Sequence, residues 1–207
     1  MLSFLIILAA ALVYGGVHSA LASFWVKRRT LQRFGPSTDR WFRFVYNLIA
    51  AVSLLPVLAL PVILEDQPLY QIPWPWRALT LAGQAFAVLA LLVGVLQTGV
   101  WSFLGLRQLL YGPEAGHHSL VIGGLYRWVR HPLYSASLAF VWLMPSMSLN
   151  LLALNLGISF YILVGAILEE RKLKAEFGEA YSAYQRRTAM LIPFLRFPNL
   201  GSRARSG

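Results

Sequence analysis

The sequence predicts an all-α, polytopic membrane bundle of about five transmembrane helices, the last two a hairpin, followed by a C-terminal cytoplasmic amphipathic helix. Three observations predict it. The 207 residues are 57% hydrophobic and only 13% charged, where a soluble domain carries about 25% charged residues. Mean hydropathy is +0.59. The charges are confined to short clusters, leaving uncharged runs long enough to cross a bilayer, which takes roughly 20 apolar residues per helix because each backbone polar group must be satisfied within the segment. This composition excludes a disordered chain and an ordinary cytosolic enzyme. With no cysteine, a disulfide scaffold, a thiolate nucleophile and a zinc–thiolate site are excluded too.

The spans follow in order. Leu2 to Val26 is uncharged and stops at Lys27-Arg28-Arg29. Arg43 and Glu65 bracket 21 uncharged residues, Arg77 and Arg107 bracket 29, and His131 and Glu169 bracket 37. The last run breaks at Pro145-Ser146-Met147-Ser148-Leu149-Asn150, which makes it a hairpin of Pro132 to about Met144 and about Leu149 to Leu168. The first arm is short for a full span. Basic residues follow the first apolar run instead of preceding it, which argues against a cleavable signal peptide. No internal repeat or low-complexity segment is evident. Residues 1–101 read as N-terminal transmembrane helices, 102–198 as a loop, hairpin and C-terminal helix within one integrated membrane domain, and 199–207 as a flexible tail.

With the connections placed on alternating sides, every base except Arg77 falls on one side. Cytoplasmic loops collect Lys and Arg, so the N-terminus is expected outside and the C-terminus in the cytoplasm. The net charge of +10 then reads as orientation and attraction to anionic membrane lipids; no nucleic acid is needed as a partner.

Three clusters on the expected cytoplasmic side carry chemistry. The first runs from His118 through Leu120, Val121, Gly123-Gly124 and Tyr126. The second is Arg130-His131-Pro132-Leu133-Tyr134. Proline suits the first helical position, because its missing N–H would be unpaired there anyway. A helix therefore starts at Pro132, with its free N–H groups and positive dipole end available to an anion. An interfacial belt of Arg, Trp128 and Tyr134 is the plainer alternative. The third cluster is Glu169-Glu170 at the end of the longest uncharged run. Carboxylates at a membrane edge are functional candidates, although pairing with Lys172 and Lys174 in an amphipathic helix, with Leu173, Phe177, Tyr181 and Tyr184 as its apolar stripe, would also explain them. No histidine pair has the spacing that places two imidazoles toward a metal, so no metal site is expected. His18, inside the first run, reads as a satisfied polar residue of the bundle. Gly123-Gly124 is not part of a phosphate-cradling motif.

Taken together, His118-x-Leu120-Val121-x-x-Gly124-x-Tyr126, Arg130-His131-Pro132-x-Tyr134 and Glu169-Glu170-x-x-Leu173-x-x-x-Phe177-Gly178-x-x-Tyr181-x-x-Tyr184, ending in Ile192-Pro193, resemble the integral-membrane isoprenylcysteine carboxyl methyltransferases and phospholipid methyltransferases. Phe103-Leu104-Gly105-Leu106-Arg107-Gln108 and His18-Ser19 resemble the bacterial branch that holds NnrU-like proteins and methanethiol S-methyltransferases, which usually has an acidic residue where Ser102 stands. The resemblance implies S-adenosyl-L-methionine as cofactor, entering from the cytoplasm. It implies His118, Leu120, Val121, Tyr126, His131, Pro132, Leu133, Tyr134 and Glu169 as cofactor-binding residues, with Arg130 and Glu170 catalytic. The acceptor would be a small thiol, an isoprenylcysteine-like molecule or a lipid. Ile162 to Leu168 lacks the Arg associated with a prenylcysteine substrate, which favours a small thiol or a neutral lipid group. A second reading is a membrane haem- or quinone-binding protein linked to nitrogen-oxide respiration, with His18 or His131 as ligand.

Overall fold

The computed structural model describes residues 1–112 and 120–195. The chain begins with α1, Leu2–Leu21, an uncharged helix. Ser23 then caps α2, Phe24–Phe34, its hydroxyl accepting the Val26 N–H at 3.3 Å; a serine oxygen satisfies one of the orphan donors at a helix start. Gly35 ends α2 at φ 88°, a left-handed conformation open to glycine. The basic connection expected after the first span is therefore itself helical. α3, Thr38–Ile63, β1, Pro68–Gln71, and α4, Trp76–Thr98, follow. Two short helices, α5 (Val100–Phe103) and α6 (Leu106–Tyr111), are joined through Gly105. Gly105 sits at φ +82°, and a Cβ there would lie 2.8 Å from the Phe44 backbone nitrogen, so this turn presses directly on α3. After the residues outside the description come a 3-10 turn (Gly124–Arg127), α7 (Pro132–Trp142), β2 (Ser146–Ser148) and α8 (Leu149–Arg187).

Four of the described helices, α1, α3, α4 and α8, are long and apolar enough to cross a membrane. The fifth, α7, has 11 residues and so covers about 16 Å, roughly half of a hydrocarbon core. The short hairpin arm expected from the sequence is this helix. The remaining depth is taken up by Leu143 to Ser148, and non-helical backbone at that depth needs partners from elsewhere in the protein. It has them. Gln84 donates to the Phe140 carbonyl at 3.0 Å and Asn155 to Val141 at 2.8 Å. The Ile72 N–H donates to Pro145 at 2.8 Å, and β1 pairs antiparallel with β2, Tyr70 opposite Met147. Buried Asn150 donates to the carbonyls of Leu64 and Glu65, beyond the end of α3. This β1–β2 end closes the bundle opposite the basic end.

Small residues let the helices approach, as is usual where lipid supplies no hydrophobic drive between them. Gly157 on α8 faces Ala11 on α1, and a Cβ there would stand 2.5 Å from the Ala11 Cβ. Ile7, Ala11, Ala153 and Leu154 form the buried contact between these two helices. α4 meets α7 in the same way, Gly83 under Leu143 and Gly94 under Leu133. The helix expected to end near Leu168 continues as α8 to Arg187, broken only by the non-helical Gly178 (φ 54°, ψ −124°). Tyr181 and Tyr184, beyond that break, are buried.

Candidate functional site

The second and third sequence clusters meet at the basic end of the bundle. Pro132 starts α7, His131 is its N-cap residue, and Glu169 and Glu170 arrive on the antiparallel α8. Tyr134, in the first turn of α7, donates its hydroxyl to Glu169 Oε2 at 2.8 Å. Glu169 keeps 45% of its side chain exposed. His131 is buried and lies between the two acids, with Nδ1 3.7 Å from Glu169 Oε2 and Nε2 3.4 Å from Glu170 Oε1. The Nδ1 contact is beyond hydrogen-bond range, and the buried Nε2 has no closer partner than Glu170 among the described residues. The His131 ring stacks on Tyr134, centroids 5.4 Å apart and planes within 12°.

Arg130 and Glu170 form a separate, tightly held group. Arg130 Nε donates to Glu170 Oε1 at 2.5 Å, and Nη1 donates to the carbonyls of Gln185 (3.2 Å) and Thr188 (2.5 Å). The other Glu170 oxygen accepts from Gln185 Nε2 at 3.0 Å. Planar guanidinium suits such multiple engagement. The chain after α8 is thereby drawn back along the head of α7. Val129 bridges Ala189, the Arg130 and His131 N–H groups donate to Ala189 and Met190, and Ser135 Oγ donates to Leu191. Tyr184 donates to the Tyr126 carbonyl at 2.5 Å.

The other expected residues fall as follows. Leu120 and Val121 lie in the irregular stretch before the 3-10 turn, with Val121 exposed. Tyr126 lies in that turn; burial, and then the charge of Glu169, push its phenol up to about 12, so it stays protonated at neutral pH. Pro132 is buried. The Leu133 side chain packs on Gly94 of α4, which leaves its backbone N–H, unpaired within the helix like that of Tyr134, as its polar contribution. His118 lies outside the described residues.

Sequence reasoning missed two side chains within electrostatic reach of Glu169, Arg43 on α3 and Tyr161 about two turns earlier on α8, together with Tyr46 on α3, which interacts with both. Arg43 and Tyr46 come from a span far away in sequence. His18 meets the Tyr46 hydroxyl through Nε2, the satisfied polar contact expected of it.

No protein-family model matches the chain, and no solved structure does. Curated relatives do. The chain is 32% identical over 192 residues to methanethiol S-methyltransferase of Mycobacterium tuberculosis, covering 88% of this chain and 75% of that protein. It is 30% identical over 187 residues to methanethiol S-methyltransferase of a Pseudomonas species, covering 87% and 70%. Human protein-S-isoprenylcysteine O-methyltransferase is 30% identical over 98 residues, 44% of this chain and 33% of that protein. With four long apolar helices and similarity along most of its length, the chain belongs to the methanethiol S-methyltransferase family and is a membrane methyltransferase.

Proposed function

We propose that this chain transfers a methyl group from S-adenosyl-L-methionine to a small thiol, methanethiol being the acceptor named for its relatives. The observation that carries the reading is the meeting of Glu169 with the proline-led start of α7, His131 and Tyr134 lying between. The residues present fit such a donor. Glu169 is half exposed and one of its oxygens is held by Tyr134; the other is free to accept from an ammonium or a ribose hydroxyl. The N–H groups of Leu133 and Tyr134 and the positive end of α7 suit a carboxylate. Aromatic faces at Tyr126, His131 and Tyr134 suit an adenine or a sulfonium, the latter by cation–π attraction of about 0.5–2 kcal/mol.

When bound, the donor supplies an electrophilic methyl on sulfonium. The protein's part is to align and desolvate, since an in-line displacement asks little acid–base chemistry of the donor side. In this reading Leu120, Val121, Tyr126, His131, Pro132, Leu133, Tyr134 and Glu169 surround the donor, Leu133 through its backbone N–H. Arg130 and Glu170, engaged with each other and with Gln185 and Thr188, hold the walls in register and act as positioning residues. The basic end faces the cytoplasm, where the methyl donor is made. The absence of any base in Ile162 to Leu168 favours a thiol over a prenylcysteine carboxylate.

Purified protein titrated with S-adenosylhomocysteine by calorimetry should bind saturably. Incubation with isotopically labelled donor and a panel of thiols, lipids and prenylcysteines should label a small thiol most rapidly by mass spectrometry. No saturable binding, or labelling of lipid alone, would overturn the proposal.

A further inference from the structure

At the basic end of α1, four aromatic rings from three helices enclose one histidine contact. Tyr14 and His18, one turn apart on α1, share a face, with ring centroids 5.8 Å apart and planes at 25°. Tyr46 of α3 stands 4.9 Å from the His18 ring, its hydroxyl against Nε2. Tyr161 of α8 meets His18 edge-on at 5.5 Å and Tyr14 at 6.4 Å. Tyr161 can come so close because Gly15 has no side chain; a Cβ there would lie 2.9 Å from the Tyr161 ring. Glu169 acts electrostatically on Tyr161, and Tyr46 and Tyr161 on Tyr134, so this box adjoins the proposed donor site. Arg43 of α3 is the cation nearest in influence, acting on both Tyr46 and Glu169.

We infer that this box is the acceptor subsite, and that the Tyr46–His18 pair removes the proton of the acceptor thiol. The inference rests on the methyltransferase reading above. A single Tyr–His hydrogen bond would tie α1 to α3. The additional ring faces and the adjoining carboxylate are what a thiol reacting with a sulfonium requires. The thiolate, not the thiol, is the nucleophile, and a low-dielectric site disfavours forming it without a base. The thiol proton passes to Tyr46 Oη as the Tyr46 proton passes to His18 Nε2. A carbon–sulfur bond forms between the acceptor sulfur and the methyl carbon. The donor's sulfonium–methyl bond breaks, its electron pair staying on the donor sulfur, which becomes a neutral thioether. The imidazolium left at His18 then releases its proton to water.

His18→Gln and Tyr46→Phe test this beside wild type. Both variants should bind S-adenosylhomocysteine as wild type does. Both should lose about a hundredfold or more in kcat at neutral pH, the usual scale of general-base catalysis. Their remaining rate should climb about tenfold per pH unit as solution supplies the thiolate, while the wild-type rate levels off. An unchanged rate and pH profile in His18→Gln would overturn the inference alone. Loss of S-adenosylhomocysteine binding in the variants would overturn it in favour of a structural role. A wild type that binds no S-adenosylhomocysteine would overturn the underlying reading as well. A second readout needs no turnover, because the chain has no cysteine. In the His18→Cys variant, the single introduced thiol should react with methyl methanethiosulfonate, a thiol-sized probe, and be slowed by excess dimethyl sulfide, the product of the proposed transfer, which does not itself consume the probe. A variant whose thiol never reacts would place the box beyond reach of any acceptor and overturn the assignment.

Discussion

Arg130 Nε stands 2.5 Å from Glu170 Oε1 across forty residues of sequence, and through this one contact the head of α7, the end of the apolar part of α8 and the segment after α8 are held together. Their side chains are only 10% and 15% exposed. Removing one partner of a buried pair strands the other, at a penalty of about 3 kcal/mol or more. Arg130→Ala is therefore expected to lower the melting temperature in detergent by several degrees. Arg130→Lys should recover only part of it, since an ammonium cannot meet the carboxylate and two carbonyls in one plane. A melting curve by intrinsic tryptophan fluorescence measures both.

Glu169 should behave differently, being half exposed and bound to the fold by one hydroxyl. Glu169→Ala should weaken S-adenosylhomocysteine binding more than tenfold and leave the melting temperature nearly unchanged. Tyr134→Phe frees the carboxylate from its one hydrogen bond, worth about 1 kcal/mol. Affinity should fall by about fivefold. Calorimetric titration of the two variants separates these magnitudes.

Glycines on α8 provide a paired test of close packing. Gly157→Ala sets a methyl 2.5 Å from the Ala11 Cβ, whereas the Cβ of Gly165→Ala meets nothing within 4 Å. Helix propensity alone favours alanine at both positions by roughly 0.5–1 kcal/mol. Thermal denaturation should show Gly165→Ala equal to or above wild type, and Gly157→Ala below it by about 1–3 kcal/mol, the usual penalty of overpacking.

At the opposite end, Asp66 contributes to an acid-side dependence, in addition to the depressed Glu170 of the basic end. Burial acts to raise the Asp66 pKa, but hydrogen bonds from Ser148 and from the N–H groups of Asn150 and Gln67 outweigh it and hold the carboxyl below its ordinary value. A carboxyl depressed on folding contributes stability above its unfolded pKa and loses it as pH falls through the folded one. The melting temperature should drop between about pH 5 and pH 2, and Asp66→Asn should drop less over the same interval.

Much of this architecture is legible in the charge pattern. Uncharged runs bracketed by Arg43 and Glu65, or Arg77 and Arg107, can only be satisfied as helices in lipid, and Pro132 announces a helix start by its own chemistry. α2 escapes a reading by charge although Ser23 and Gly35-Pro36 are local signals of its ends, because its basic residues read first as an orientation marker. The β1–β2 pairing is not legible: Tyr70 and Met147 belong to short segments with no periodicity long enough to read. The same holds for Tyr46 and Tyr161, whose convergence on His18 depends on how α1, α3 and α8 cross. Arg130 and Glu170 stand out in the sequence as separate candidates by type and place, but their mutual engagement depends on the return of Thr188 to Leu191 along α7, which no spacing encodes.

That return strand has a consequence for biogenesis. The backbone donors of Arg130 and His131 and the hydroxyl of Ser135 find acceptors in residues 189–191, so all the spans can be threaded into the bilayer while the basic end is still unsealed. A chain cut before residue 188 would keep every long apolar helix and lose these acceptors, so the junction of α7 with α8 is closed only by this late stitch.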